Sequence, residues 1–301
     1  MSATGRSDAR QAEVSVMRIA IASGKGGTGK TTVATNLAYV ASRNGQNVAY
    51  IDCDVEEPNG HIFLKPEITH SKPVGTLIPR VDEEKCTLCG RCGDICQYSA
   101  IVCLGKNVLV FPELCHACGA CSLVCPEDAI TEVPRDMGQL ESGRAGTIQF
   151  VHGALNIGEA MSPPVIKAVK RAAPAADLVI IDAPPGTSCP VIESVRGCDF
   201  VLLVTEPTPF GLNDLKLAVE MVRALNQTFA VVVNRVGIGD RAVQEYCERE
   251  GVNLLAEIQD DRRIAEAYSR GELICEVLPD YQSLFVQLFK DITEETRVTV
   301  G

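Results

Sequence analysis

Residues 23–32 carry the most recognisable chemistry in this sequence, in the order Ser-Gly-Lys-Gly-Gly-Thr-Gly-Lys-Thr-Thr. Glycines let a backbone curl closely around a triphosphate, with its N–H groups pointing at the phosphate oxygens. Lys30 would reach the β- and γ-phosphates, and the Thr31 hydroxyl would ligate Mg²⁺. Because every fixed position of the motif is present, we predict a site for ATP and Mg²⁺ rather than a simple glycine-rich turn. The predicted nucleotide contacts are Gly24, Gly26, Gly27, Thr28, Gly29, Lys30, Thr31 and Thr32.

The elements around this loop are those that a phosphate site requires. The apolar run from Met17 to Ala22 predicts a strand before it, and apolar residues at helical spacing from Val33 to Ala41 predict a helix after it. A helix that begins near Gly29 directs the positive end of its dipole at the phosphates. The order strand, loop, helix is the context in which the P-loop motif binds nucleotide.

A second lysine, Lys25, narrows the class of P-loop protein. The sequence Gly-Lys-Gly-Gly-Thr-Gly-Lys-Thr resembles the deviant Walker A motif of the MinD/ParA/Mrp ATPases. The resemblance implies slow ATP hydrolysis by a homodimer, in which Lys25 crosses the interface to contact the nucleotide of the other subunit. The alternative for Lys25 is a solvated loop lysine.

Carboxylates follow two further apolar runs. Asp52 and Asp54 follow residues 48–51, and Asp182 follows residues 178–181. In doubly wound sheets ligands bind at the carboxyl ends of the strands, and a carboxylate beside the P-loop manages Mg²⁺ as a Walker B residue. We therefore assign Asp182 to the Mg²⁺ environment.

The residues after these strands extend the family resemblance. The segment Asp-Ala-Pro-Pro-Gly-Thr at 182–187 resembles the switch of the Mrp branch. The resemblance implies that Asp54 positions the attacking water, that Asp52 supports the same region, and that Asn234 contacts adenine after a later strand. The alternatives are loop or helix-capping aspartates and an Asx turn at Asn234.

Most of the cysteines lie in two runs with the same spacing, C-x2-C-x2-C-x3-C. Residues 96–101 and 125–130 also match, so the two runs form an internal repeat. A largely apolar stretch from Val102 to Phe111 lies between them and predicts a short hairpin. Structural zinc is the competing interpretation, but zinc sites usually pair two separated C-x2-C knuckles rather than one continuous run. The two runs are Cys86, Cys89, Cys92, Cys96 and Cys115, Cys118, Cys121, Cys125.

This repeat resembles the bacterial ferredoxin module with two [4Fe-4S] clusters, in which the fourth cysteine of each run ligates the other cluster. The resemblance implies that Cys125 joins the first three cysteines of the first run, and that Cys96 joins those of the second. Gln97 departs from the pattern by replacing the usual proline, but it removes no ligand. Cys103 lies outside both runs, and we interpret it as a packing residue.

These patterns predict an α/β fold with a doubly wound, mostly parallel sheet and a small inserted α+β ferredoxin-like domain. We expect a disordered tail at 1–15, a discontinuous P-loop ATPase domain at 16–78 and 136–295, and an inserted domain at 79–135. The hydrophobic fraction of 46% suits a buried core.

The 14 cysteines are better explained by metal ligation than by disulfides, because the polar N-terminal segment has no signal-peptide pattern. We therefore expect a cytoplasmic location.

Charge and composition exclude some partners and leave two functions open. A net charge of −11 argues against nonspecific nucleic-acid or membrane binding. Within the resemblance, the chain is an ATPase coupled to iron–sulfur cluster assembly or transfer, or an ATP-gated electron carrier with permanent clusters. The Mrp-like switch favours the first, whereas the eight-cysteine repeat and the lack of a C-terminal C-x-x-C favour the second. Either function needs a redox or cluster-acceptor protein, and we expect that partner to present a basic patch because the clusters add negative charge.

Overall fold

A computed structural model describes the backbone of residues 16–300 and the side chains of residues 16–297. The predicted disordered tail at residues 1–15 lies outside this range. No helix among the described residues is both long and apolar enough to cross a membrane.

The described chain contains a main sheet and a separate two-stranded hairpin. The strands are β1 (Met17–Ala22), β2 (Val48–Asp52), β3 (Glu67–Val81), β4 (Ile101–Leu104), β5 (Asn107–Val110), β6 (Ile130–Ala145), β7 (Ile148–Leu155), β8 (Leu178–Asp182), β9 (Phe200–Thr205), β10 (Phe229–Val236) and β11 (Leu254–Gln259). The helices are α1 (Lys30–Arg43), α2 (Gly60–Leu64), α3 (Arg91–Ile95), α4 (Ala120–Leu123), α5 (Pro163–Arg171), α6 (Cys189–Val195), α7 (Pro209–Ala224), α8 (Ala242–Glu250), α9 (Arg262–Ser269), α10 (Ile274–Val277) and α11 (Gln282–Val300).

The main sheet has the order β11-β10-β9-β1-β8-β2-β7-β6-β3. From β11 to β7 every neighbouring pair is parallel, and β6 and β3 continue the sheet as antiparallel strands. The central strands are apolar and fully buried because helices cover both faces. The sequence prediction of a mostly parallel α/β sheet is therefore confirmed.

Two apolar cores lie on opposite faces of this sheet. One packs α5, α6, α7 and α8 against it, and the other packs α1, α2, α10 and α11 against it. Alternate side chains of a strand point to opposite faces, so Tyr50, Asp52 and Asp182 share the face that α1 covers. The P-loop helix and the strand-end carboxylates are thereby brought together.

The two antiparallel strands form a long stem beneath the cysteine-rich segment. β3 pairs with β6 along nearly its whole length, ending at the pair Val81 and Ile130. The chain between these residues contains α3, the hairpin of β4 and β5, and α4, around a small core that includes Cys92, Ile101 and Ile130. The hairpin predicted within residues 102–111 is confirmed, with bounds shifted by about one residue.

Candidate functional site

The P-loop has the backbone conformation that its glycines predict. Gly27 and Gly29 have φ values of 77° and 95°, in the left-handed region that favours glycine, and Gly29 is the residue before α1. Gly26 and Gly27 are exposed, whereas Lys30 is only 6% exposed. The buried Thr28 hydroxyl has no hydrogen-bond partner among the described residues. A cradle with an unpaired buried donor suits a phosphate group.

Asp182 lies at the end of β8, beside the first turn of α1. Its carboxylate is fully buried, and Oδ2 accepts a hydrogen bond of 2.9 Å from the Tyr50 hydroxyl. Burial raises the pKa of Asp182 above its ordinary value, while Lys30 and the Thr31 hydroxyl oppose that rise by favouring the ionised form. The other oxygen, Oδ1, makes no hydrogen bond of normal geometry within the described chain. A buried, unpaired carboxylate oxygen beside a threonine hydroxyl suits Mg²⁺ or one of its bound waters.

Asp52 and Asp54 differ in what surrounds them. Asp52 is fully buried and accepts hydrogen bonds from the backbone amides of Asp54, at 3.1 Å, and of Gly60, at 2.9 Å. It therefore holds both ends of the loop at residues 54–59, which we call the switch loop. Asp54 itself is half-buried, and burial raises its pKa to about 6 despite the opposing charge of Lys30. Asp54 is thus near the lysine and the cradle, where a water-positioning carboxylate would be.

Lys25 forms an ion pair with Glu206 of its own chain in this structure. Its Nζ donates to Glu206 Oε1, and Arg235 lies 3.6 Å from the other oxygen of Glu206. Burial is the largest single influence on Glu206 and opposes its ionisation, but the hydrogen bonds from Lys25 and Thr208 and the charges of Lys25 and Arg235 together lower the pKa of Glu206 below its ordinary value. The contact of Lys25 with a second subunit's nucleotide stays a prediction. Sequence reasoning missed Glu206, which is 181 residues from Lys25.

Asn234 lies against the P-loop at the end of β10. Its side-chain amide donates to the Thr28 carbonyl at 2.8 Å. It also lines a cavity of about 310 Å³ with Gly27, Gly29 and Thr32. A cavity of this size beside the cradle suits a nucleoside, and an adenine contact by Asn234 stays a prediction.

The cysteines line two further cavities in a crossed arrangement. Cys125 joins Cys86, Cys89 and Cys92 around one cavity, although it belongs to the second run. The other cavity is lined by Cys96, from the first run, together with Cys115, Cys118 and Cys121. Among the described residues, no three histidine, cysteine, aspartate or glutamate side chains converge as a site for a single metal ion.

The two cysteine runs have the same local backbone geometry. Three pairs of matching residues have positive φ values: Leu88 and Ala117, Gly90 and Gly119, and Ser99 and Asp128. The last cysteine of each run accepts a hydrogen bond from the backbone amide four residues later. The Ala100 amide donates to the Cys96 sulfur and the Ala129 amide donates to the Cys125 sulfur, both at 3.3 Å. Burial raises the pKa of Cys96, but the backbone amides of residues 98–101 lower it, and the net result is a decrease. Amides directed at sulfur stabilise thiolates, so the donor set fits an iron–sulfur cluster in each cavity.

The fold and the P-loop geometry define a nucleotide-binding protein of the P-loop class. The family described as CobQ/CobB/MinD/ParA nucleotide binding domain matches residues 19–274, and the chain belongs to this family. Membership of this family, together with the geometry of the P-loop, makes the chain a P-loop ATPase.

Relatives match most of the chain. An uncharacterized protein of Methanocaldococcus jannaschii is 35% identical over 229 residues, which cover 75% of this chain and 80% of that protein. A protein of Pyrococcus horikoshii named iron-sulfur cluster carrier protein is 26% identical over 274 residues, covering 84% of this chain and 77% of the relative.

Solved structures of cell-division proteins share the fold. The septum site-determining protein MinD of Pyrococcus horikoshii, in complex with Mg-ADP, has a TM-score of 0.58 and 20% identity, over 92% of this chain and 96% of MinD. The cell division ATPase MinD of Pyrococcus furiosus has a TM-score of 0.57 and 22% identity, over 93% and 99% of the two chains. At such identities the likeness establishes the fold alone.

Proposed function

We propose that this protein is a Mg²⁺-dependent ATPase that couples nucleotide hydrolysis to the assembly or transfer of [4Fe-4S] clusters. The observation that carries the proposal is the pair of cysteine-lined cavities, each with four thiols, in the same chain as a P-loop. The carrier name of the Pyrococcus horikoshii relative supports the choice of cargo.

The geometry of the cysteines favours clusters over zinc. A cubane binds each of its four thiolates at a different iron, so its ligands surround a cavity, whereas the thiolates of a zinc site meet at one ion. In each cavity the fourth cysteine comes from the other run, as the ferredoxin resemblance implies. Bound in these cavities, such clusters supply one-electron redox chemistry or serve as the cargo itself.

The nucleotide site supplies the groups that hydrolysis requires. In this proposal, Lys30 neutralises phosphate charge, Thr31 and Asp182 hold Mg²⁺, and Asp54 orients the attacking water. Asn234 contacts the base, and Lys25 completes the site across a homodimer. The unpaired Oδ1 of Asp182 and the unpaired hydroxyl of Thr28 support these assignments.

A continuous set of contacts connects the switch loop with the chain segment after β7. The Val55 carbonyl accepts from the Leu155 amide at 2.8 Å, and Glu56 accepts from the Ser162 hydroxyl at 3.1 Å. The loop at residues 156–162 is therefore bonded at both ends to the switch loop, which contains the water-orienting Asp54 in this proposal.

The same loop is bonded to the stem of the cysteine-rich segment. The Asn156 amide donates to the carbonyl of Met137, an extra residue in β6 where the β3–β6 register shifts. Glu159 pairs with Arg135 of β6 at 2.8 Å. Arg135 also lies 3.8 Å from Glu113, two residues before Cys115. We call this the Arg135 bridge, and it supports coupling between nucleotide state and the second cysteine cavity.

A second function is supported by the crossed ligands. Because each cavity takes thiols from both runs, release of a cluster requires the two halves to separate, which favours permanent clusters that carry electrons. In that case ATP would reshape the surface that meets a redox partner. The chain's net charge of −11 suits a basic partner in either case.

A transfer assay distinguishes the two functions. The cluster-loaded protein is incubated anaerobically with an apo-ferredoxin, with ATP or with ADP, and the two proteins are then separated. Iron that moves to the acceptor faster with ATP supports the proposal. Iron that stays while the clusters cycle between redox states supports the electron-carrier function instead.

A further inference from the structure

Tyr50 is a polar residue inside a fully buried strand. Its side chain is 0% exposed, and its ring lies parallel to that of Phe150 with centroids 5.8 Å apart. A tyrosine hydroxyl in such a place needs a hydrogen-bond partner, because leaving it unpaired costs free energy. That partner is Asp182, whose Oδ2 accepts from it at 2.9 Å.

This hydrogen bond restricts how the Asp182 carboxylate can rotate. The terminal torsion of aspartate is soft, so an unrestrained carboxylate samples a broad range of orientations. A tyrosine hydroxyl is protonated at neutral pH, so it acts as the donor to the Asp182 carboxylate. With Oδ2 occupied, the unpaired Oδ1 is the oxygen that remains for another partner.

Tyr50 also contacts Gly60, the first residue of α2, which directly follows the switch loop. A Cβ atom added to Gly60 would lie 2.5 Å from the Tyr50 hydroxyl oxygen, so only glycine fits against it. The amide of Gly60 is itself held by Asp52 at 2.9 Å. The aromatic ring is therefore fixed by Phe150 on one side and by the backbone of Gly60 near its hydroxyl.

We propose that Tyr50 is a positioning residue for the divalent cation: its hydroxyl holds Asp182 so that Oδ1 is presented to Mg²⁺ or to a Mg²⁺-bound water. The proposal rests on the assignment of Asp182 to the Mg²⁺ environment made above. It adds to the proposed Mg²⁺ site a residue that belongs neither to the P-loop nor to the carboxylates at the strand ends.

The test compares Tyr50→Phe with Tyr39→Phe. Tyr50→Phe removes one oxygen and keeps the ring, and Tyr39→Phe removes a hydroxyl on α1 from a half-buried position. The affinity of Mn²⁺ for the protein saturated with a non-hydrolysable ATP analogue is measured by electron paramagnetic resonance. We expect Tyr50→Phe to weaken Mn²⁺ binding about tenfold, the scale of one hydrogen bond to a charged group, and Tyr39→Phe to leave it unchanged. Affinity for the nucleotide in the absence of metal should change less than about twofold in both.

Asp182→Asn and the double variant separate this inference from the proposed function. If Asp182→Asn leaves Mn²⁺ affinity unchanged, the assignment of Asp182 fails. If Asp182→Asn weakens Mn²⁺ binding but Tyr50→Phe does not, the Tyr50 proposal is overturned. The double variant tests whether Tyr50 acts through Asp182. If it does, adding Tyr50→Phe to Asp182→Asn changes Mn²⁺ affinity little further. If the effects of the two substitutions on Mn²⁺ binding are fully additive, the Tyr50 proposal is contradicted. The metal dissociation constant is measured on the nucleotide-bound fraction, so partial unfolding of a variant does not change the result.

Discussion

Glu113→Gln tests the Arg135 bridge with little expected damage to the fold. Glu113 is 57% exposed and lies 3.8 Å from Arg135, whereas Glu159 is 10% exposed and lies 2.8 Å from the same guanidinium. The substitution removes the charge that links the bridge to the segment before Cys115. It leaves the pair between Arg135 and Glu159 in place.

The size of the effect follows from these exposures. Two unit charges at such a distance attract by about 1 kcal/mol in water, and exposed pairs contribute about 0.2–1 kcal/mol. Through Glu113, the bridge can therefore change the affinity for nucleotide between cluster-loaded and cluster-free protein by at most about fivefold. Glu159→Gln breaks the nearly buried part of the bridge, and we expect it to lower the free energy of unfolding by about 2 kcal/mol.

The assay measures the affinity of a non-hydrolysable ATP analogue in cluster-loaded and cluster-free protein. The ratio of the two dissociation constants is the coupling factor, and by linkage nucleotide changes cluster affinity by the same factor. We expect Glu113→Gln to move this ratio towards one by about two- to fivefold. Glu83→Gln, which removes an exposed negative charge shortly before Cys86 and away from Arg135, should leave the coupling factor unchanged.

Hydrogen exchange of residues 111–119 provides a second readout. We expect the analogue to change exchange in this segment of the wild type and to change it less in Glu113→Gln. A coupling factor that is the same in the wild type, Glu113→Gln and Glu159→Gln would refute the reasoning, because the bridge would then carry no coupling.

Three further predictions concern the two sites. Lys30→Ala should abolish ATP hydrolysis, measured as phosphate release, because the buried cation over the phosphates is lost, and unchanged turnover would contradict the nucleotide assignment. Cys125→Ser should remove the cluster held by the first cysteine run while the second cluster remains, and Cys96→Ser should do the reverse. Loss of the cluster from the mutated residue's own run, seen in iron content and spectra, would contradict the crossed arrangement. Glu206→Gln should strengthen ATP-dependent dimerisation by up to about fivefold in sedimentation experiments, because Lys25 no longer has to leave a charged partner. A weaker dimer would show that Glu206 acts in the interface instead.

Local patterns in the sequence were sufficient to predict the P-loop, the buried parallel strands and the hairpin of the cysteine-rich segment. They did not predict β3 and β6. β3 contains Pro73 and Pro79 and is mostly exposed, so it lacks the apolar alternation that indicates a strand. Proline is tolerated there because β3 is an edge strand of the described sheet. The boundaries at residues 79 and 135 stay predictions.

The contacts that connect the sites depend on tertiary structure. Arg135 and Glu113 belong to different elements, and no spacing rule pairs them. The start of α7 at Pro209 is set by Thr208, whose side chain caps the helix by accepting from the Gly211 amide. A tyrosine within the apolar run at residues 48–51 was the one available sign that a buried partner such as Asp182 would be needed.

The central claim is that one chain combines a Mg²⁺–nucleotide site with two [4Fe-4S] sites. The most direct measurement is the metal, sulfide and nucleotide content of protein purified anaerobically. The account predicts about eight iron and eight sulfide per chain, and about one ATP or ADP bound per chain when Mg²⁺ is present. Iron-free protein, zinc in place of iron, or protein that retains no nucleotide would contradict it.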